Sequence, residues 1–167
     1  MIARLRHAAT MACLGMALSA PLAAQEIKPF ESGSLEKIVT AHKSRPFVLA
    51  FWSLACPPCR DELALLGDVF QGESARDLVL VSTDTPEESA AIATVLAQRR
   101  LAVVEAWVFA DAFTERLRYG IDRQWQGELP RTYLYGVDGK IQAVSGKLSP
   151  QQLRQWIKRQ TASAKRP

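Results

Sequence analysis

The chain has 167 residues, 48% of them hydrophobic and 23% charged, with a formal net charge of +4, three cysteines and two histidines. That length and balance fit one ordinary globular domain and exclude collagen-like, coiled-coil and wholly disordered chains. With so few histidines and cysteines, chemistry that needs several such ligands is short of material.

Residues 1–24 (MIARLRHAATMACLGMALSAPLAA) have the layout of a secretory signal peptide. Arg4 and Arg6 make a basic start, Ala8 to Ala20 is an uncharged, mostly apolar run, and Pro21 with Ala23-Ala24 supplies a break and small residues before a cut after Ala24. The run is short of the about 20 apolar residues of a membrane span, although an uncleaved N-terminal anchor is the alternative. Cys13 travels within this segment. Residues 1–24 hold two arginines and no acid, so their removal lowers the net charge from +4 to +2. That excess is too small to argue for nucleic acid. Cys56, Cys59 and His42 then remain, in an exported chain that meets an oxidising compartment.

From residue 25 to 160 no linker or repeat divides the chain, which reads as one domain followed by a basic tail at 161–167. Residues 34–43 form a predicted helix capped by Ser34, with Leu35, Ile38 and Val39 on one face. Pro46 to Trp52 is a continuous apolar run, the pattern of a strand covered on both faces. A helix follows from Pro58 to Phe70, with Leu63, Leu66 and Phe70 at helical spacing, and then a second buried strand at Leu78–Ser82. Asp84 or Thr85 caps the next helix, Pro86 sits in its first turn, and Arg99-Arg100 close it. Val103 to Phe109 is a third strand, Asp111 caps a short helix that stops before Gly120, and 121–129 is a loop. Thr132–Tyr135 and Lys140–Ser145 make a hairpin around Asp138-Gly139, and Ser149-Pro150 opens a last helix with Leu153, Trp156 and Ile157 inward. Strands alternating with helices and buried on both faces predict a three-layer α/β/α sandwich.

The chemistry concentrates in Phe51-Trp52-Ser53-Leu54-Ala55-Cys56-Pro57-Pro58-Cys59-Arg60. The spacing puts Cys56 at a helix N-terminus and Cys59 one turn inside. Unpaired N–H groups and the positive dipole end stabilise a thiolate there, so Cys56 is the attacking sulfur in disulfide exchange and Cys59 the resolving one. Pro57 and Pro58 suit the first helical turn but remove two donors near Cys56. A purely structural staple fits poorly, because closing a four-residue ring restrains the unfolded chain by only about 2 kcal/mol. Zinc needs more ligands than two cysteines and His42 offer. Haem attachment needs histidine where Arg60 stands.

The string FWSLACPPCRDEL resembles the active-site segment of thioredoxin-fold proteins, specifically exported thiol–disulfide oxidoreductases of the TlpA/ResA/CcmG type. Glu128-Leu129-Pro130-Arg131-Thr132-Tyr133-Leu134-Tyr135-Gly136-Val137-Asp138-Gly139-Lys140 is similar to that family's segment around a cis-proline. The resemblance implies a thioredoxin fold with an inserted strand and helix, for which residues 86–119 are the candidate. It implies a cis Leu129–Pro130 bond facing Cys56, with main-chain groups free to pair with an extended substrate; an ordinary trans strand-start proline is the alternative. Leu129, Pro130 and Trp52 are the expected substrate-binding residues, and Cys56 and Cys59 the catalytic redox-active disulfide, with no cofactor and no metal. Expected partners are disulfide-containing exported proteins and a membrane electron carrier of the DsbD or CcdA type. The expected state is a periplasmic monomer that reduces disulfides, in cytochrome c or copper-site maturation among family substrates.

Two positions depart from the family. The buried acid that thioredoxins carry six residues before the first cysteine is Ala50 here, and Ala55 stands where many relatives have Trp. Proton transfer to Cys59 then needs another group, with Glu128, Asp84 and Glu87 as candidates. Glu105 shares a strand face with Trp107 and Trp125 lies in the loop beside Pro130, so burial of the first and groove-shaping by the second are both open. Two other function classes compete. Oxidation of exported proteins is the reverse reaction, and it needs a very stable thiolate that two prolines do not favour. A copper-delivery module resembling Sco proteins would use CxxxC and a distant His, and no His follows His42. A peroxiredoxin-type peroxidase would carry Thr where Ser53 stands.

Overall fold

All six residues of Phe47–Trp52 (β2) are buried, and this strand is the centre around which the domain is layered. The computed structural model describes residues 25–43 and 45–164; the expected signal peptide, with Cys13, and residues 165–167 of the tail lie outside them. In chain order the elements are β1 (Ile27–Phe30), α1 (Ser34–Ala41), β2, α2 (Pro57–Val69), β3 (Leu78–Ser82), α3 (Ser89–Gln98), β4 (Glu105–Phe109), α4 (Thr114–Ile121), β5 (Arg131–Tyr135), β6 (Ile141–Ser145) and α5 (Pro150–Ala164). The six strands form one sheet in the order β1-β4-β3-β2-β5-β6. β1, β4, β3 and β2 are parallel, and β5 and β6 run antiparallel to their neighbours.

Strand alternation divides the core in two. Val48, Ala50 and Trp52 of β2 join Leu78 and Leu80 of β3 under α2, α3 and α5, with Cys59, Leu63, Leu66, Ile92, Leu96, Leu153 and Trp156. Phe47, Leu49 and Phe51 join Val79 and Val81 on the other face, under Ile38 of α1, Leu117 of α4 and Trp125. The three-layer sandwich expected from the alternation of strands and helices is therefore present, and residues 86–119 hold α3, β4 and most of α4.

Several boundaries differ from the sequence reading. β1 was not anticipated: four residues containing Lys28 and Pro29 carry no alternation, and a proline is tolerated because the strand lies at a sheet edge. Gln25 ties its start to the Leu101 and Val104 carbonyls at 3.1 and 2.8 Å. Gly33, not Ser34, is the N-cap of α1, because its φ of +88° is one that glycine adopts freely. Ser34 is the first helical residue, and its hydroxyl accepts the Glu31 N–H at 3.0 Å. Val103 is 79% exposed in the turn before β4 and belongs to no strand. Asp111 accepts the Phe113 N–H at 2.9 Å, two residues early for a cap, and α4 runs through Gly120 to Ile121, which packs on the second core cluster. α5 continues to Ala164, four residues beyond the expected end of the domain. Ser149 and Gln152 cap its start reciprocally, at 3.1 and 3.0 Å.

Candidate active site

Cys56 is the N-cap of α2, in extended conformation, and Pro57 and Pro58 fill the first helical positions. The fit is local chemistry: proline has no N–H to leave unpaired and its φ is already helical. Cys56 and Cys59 form a disulfide, and the Cys56 Sγ accepts the Cys59 N–H at 3.2 Å. Cys56 is partly exposed and Cys59 is fully buried in the cluster under α2. Only the first sulfur is open to a macromolecular partner.

The loop before Cys56 is held from both sides. Asp84, just past β3, accepts the Leu54 N–H at 2.8 Å and the Ser82 hydroxyl at 2.5 Å, and the Arg60 guanidinium donates to the Leu54 carbonyl at 3.2 Å. The neighbouring Thr83 N–H donates to the Trp52 carbonyl at 2.9 Å. Asp84 is thus a bracket for the loop, while Thr85 and Glu88 form the capping box of the following turn. Glu87 is exposed and stands apart from this bracket.

The Leu129–Pro130 peptide is cis. Arg131 pairs with Phe51 in the sheet register, so Pro130 lies at the β2 end from which the Cys56 loop departs. Leu129 and Cys56 both lean, partly buried, on the same core cluster. The Glu128 carbonyl is taken by the Trp125 indole N–H at 2.9 Å and the Pro130 carbonyl by the Gly146 N–H at 2.9 Å. Between them, Leu129 N–H and C=O have no hydrogen-bond partner among the described residues. Trp52 is different from expectation. It is 2% exposed among Cys59, Leu63 and their neighbours, so it supports the disulfide from within the core and offers no surface to a substrate.

The acid at this site is one that sequence reading passed over. Glu62 is 2% exposed, one turn beyond Cys59 on the buried face of α2. Its carboxyl accepts the Thr132 hydroxyl at 2.5 Å and the Leu148 N–H at 2.6 Å. Burial pushes its pKa up, and these two donors only partly oppose that. Thr132 occupies β5 directly across from Ala50, so a carboxyl arriving from α2 fills the place left by the acid missing at Ala50. Helical spacing places Glu62 on the face of Cys59, Leu63 and Leu66, at i, i+3, i+4 and i+7, but gives it no partner, since Thr132 and Leu148 come from distant segments.

Glu128 is committed elsewhere. Its carboxyl accepts from the Ser145 hydroxyl at 2.7 Å, the Gln126 N–H at 3.0 Å and Arg131 at 3.2 Å. Partial burial would raise its pKa, but these hydrogen bonds and the Arg131 charge hold it below the usual range. Trp125 is buried against Phe51, with ring centroids 4.9 Å apart, so its ring is chiefly a packing element of the second core cluster. Glu105 is half-buried and partnered by Lys28 and the Trp107 indole, each at 3.1 Å. The Tyr133 phenol, beside Arg131, is pushed up to about 12, chiefly by burial.

Residues 20–144 match the model of the AhpC/TSA family. The chain belongs to this family. It is similar to the thiol-disulfide oxidoreductase ResA of Bacillus thuringiensis subsp. konkukian and of Bacillus cereus, each 26% identical over 121 residues covering 71% of this chain. The chain spans 65% of the length of those curated relatives. Solved structures share its fold. A secreted disulfide oxidoreductase of Mycobacterium tuberculosis homologous to E. coli DsbE aligns with TM-score 0.54 at 20% identity, over 72% of this chain and 85% of that one. A thioredoxin family thiol:disulfide interchange protein of Chlorobium tepidum gives TM-score 0.56 at 16% identity, over 73% and 83%. A thioredoxin-related protein of Neisseria meningitidis serogroup B gives 0.53 at 22%, over 74% and 90%. Family and neighbours agree on a thioredoxin fold.

Proposed function

We propose that this chain is an exported thiol–disulfide oxidoreductase that reduces disulfides in extracytoplasmic proteins. The observation that carries the reading is the Cys56–Cys59 disulfide at the start of α2, open at Cys56 and closed at Cys59, beside a cis Pro130 whose preceding residue has unpaired main-chain groups. In the reduced protein the Cys56 thiolate attacks one sulfur of a substrate disulfide, forming a mixed disulfide and expelling the other sulfur as a thiolate. Cys59 then loses its proton and attacks the Cys56 sulfur. The second substrate thiolate leaves, and two electrons have passed from the protein dithiol to the substrate. Glu62, the buried carboxyl on the helical face of Cys59, is the group suited to take that proton.

The hydrogen-bond donors around Cys56 bear on the direction of electron flow. Strong oxidants owe their power to a very stable thiolate. Here Pro57 and Pro58 bring no N–H to Cys56, and the Cys59 N–H is the one hydrogen bond its sulfur receives among the described residues. That favours the reductase over the oxidase. Reductant would come from a membrane carrier of the DsbD or CcdA type, and apocytochrome c or copper-site cysteines are the substrates to try first. Residues 1–24 supply the export signal in this reading, and the periplasm the compartment.

The test is a Cys59→Ser variant expressed with its N-terminal segment in an oxidising compartment. It should accumulate mixed disulfides through Cys56, which mass spectrometry of the adducts would name. A folded, exported variant that forms no adduct rejects the exchange mechanism.

A further inference from the structure

We propose that Arg131 is a positioning residue that fixes the loop of residues 122–128 and so presents Leu129, the residue after it, in the form a substrate strand pairs with. This rests on the oxidoreductase reading and adds a determinant of protein-substrate affinity to it. Arg131 follows the cis-proline directly and is 8% exposed. By strand alternation its side chain leaves β5 on the face opposite Thr132, and so opposite Glu62 and the buried cysteine. All three guanidinium nitrogens are engaged. Nη2 donates to Asp122 Oδ2 at 2.5 Å, Nε to the Tyr133 hydroxyl at 3.1 Å, and Nη1 to Glu128 Oε1 at 3.2 Å and to the Ser145 hydroxyl.

Each carboxylate in turn grips the loop. Asp122 Oδ1 accepts the Gln124 N–H at 2.8 Å and Glu128 Oε2 accepts the Gln126 N–H at 3.0 Å. The Tyr133 hydroxyl donates to Asp122 Oδ2 at 3.1 Å, and the Trp125 indole closes on the Glu128 carbonyl at 2.9 Å. From 122 to 128 the loop is thus fixed at every second residue by groups that meet at one guanidinium. Leu129, the next residue, keeps its N–H and C=O unpaired among the described residues. Such an arrangement preorganises an edge for an extended partner, so the ordering cost is met before binding. Lysine cannot replace the fork, because the three donors of an ammonium diverge from one nitrogen and do not reach the four acceptors that Nε, Nη1 and Nη2 span.

The experiment compares the full chain with Arg131→Lys and Trp125→Phe on two oxidised substrates, with glutathione as the reductant that returns the Cys56–Cys59 disulfide to the dithiol and the uncatalysed rate subtracted. Insulin offers a polypeptide strand to Leu129, and hydroxyethyl disulfide offers none. Arg131→Lys should raise KM for insulin about tenfold, as expected for weakening charge-assisted contacts to two carboxylates, with kcat changed less than about twofold. Its kcat/KM for hydroxyethyl disulfide should change less than about twofold as well. Trp125→Phe keeps the ring packing, loses only the bond to the Glu128 carbonyl, and should raise the insulin KM about threefold. If Arg131→Lys does not fold, Asp122→Asn, which keeps an acceptor for the Gln124 N–H and removes the carboxylate that Nη2 grips, carries the test in its place with the same expected rise in insulin KM. An equal loss on both substrates, a fall in kcat alone, or an unchanged insulin KM overturns the proposal. A wild-type chain that reduces neither substrate overturns the oxidoreductase reading itself, which keeps the two failures apart.

Discussion

Glu62 Oε1 and Thr132 Oγ1 lie 2.5 Å apart, so the helix that opens at Cys56 and the strand that opens one residue after Pro130 meet at a buried carboxyl. The second oxygen accepts the Leu148 N–H at 2.6 Å. Both partners are neutral donors. They satisfy the geometry of the carboxyl without supplying the positive charge that would offset its desolvation. Glu62 and Cys59 are both buried on the same face of α2, one helical turn apart.

This geometry sets the pH dependence of stability. Burial raises the Glu62 pKa above the ordinary glutamate value of 4.5. Between the unfolded and the raised folded value the native state binds more protons than the unfolded one, so stability falls as pH rises through that window. Gln in place of Glu62 does not titrate, and its amide can accept from Leu148 N–H and donate to Thr132. The stability difference between wild type and Glu62→Gln should shift against the wild type as pH rises from about 4.5, measured by urea denaturation of the oxidised proteins. A difference that stays flat with pH would show that the carboxyl is not desolvated.

Asp84 makes a second prediction, because its carboxylate holds the loop before Cys56. Asp84→Ala removes the acceptor of the Leu54 N–H and of the fully buried Ser82 hydroxyl. It should cost about 1–3 kcal/mol, the penalty for orphaning partly buried donors. Asp84→Asn keeps a carbonyl oxygen for Leu54 and should cost less than half as much. Equal losses in the two variants, read from urea midpoints, would mean that charge and not hydrogen bonding matters at this position.

Much of this was legible before the fold was known. Continuous apolar runs at Phe47–Trp52 and Leu78–Ser82 announced strands buried on both faces, and Cys56-Pro57-Pro58-Cys59 announced a cysteine at a helix start. Both are local signals, written in consecutive residues. What stayed hidden depends on partners far apart in the chain. Glu62 meets residues 70 and 86 positions away, and an acid in a helix ordinarily reads as solvated surface. Asp84 looked like a helix cap because Asp before Thr-Pro-Glu is a helix-start pattern, yet its partner is Leu54. Arg131 carried no sequence signal, since four of its contacts come from a loop and strands that only tertiary structure brings together. β1 was missed because an edge strand of four residues pairs by its backbone and needs little side-chain pattern.

Gly67 supplies the last prediction, on how α2 is seated. An alanine in the interior of a helix normally improves on glycine by about 1 kcal/mol. Here a Cβ on Gly67 would stand 1.9 Å from the Arg99 carbonyl oxygen and 3.1 Å from its carbon, so the backbone that ends α3 has to move. Overpacking against main chain costs more than the propensity returns. Gly67→Ala should therefore destabilise the protein by about 2 kcal/mol, lowering Tm by roughly 5 °C for a domain of this size. Calorimetry on the oxidised protein reads it directly. An unchanged or higher Tm would mean that α2 slides freely past the end of α3, and the close seating of the helix that carries both cysteines would have to be abandoned.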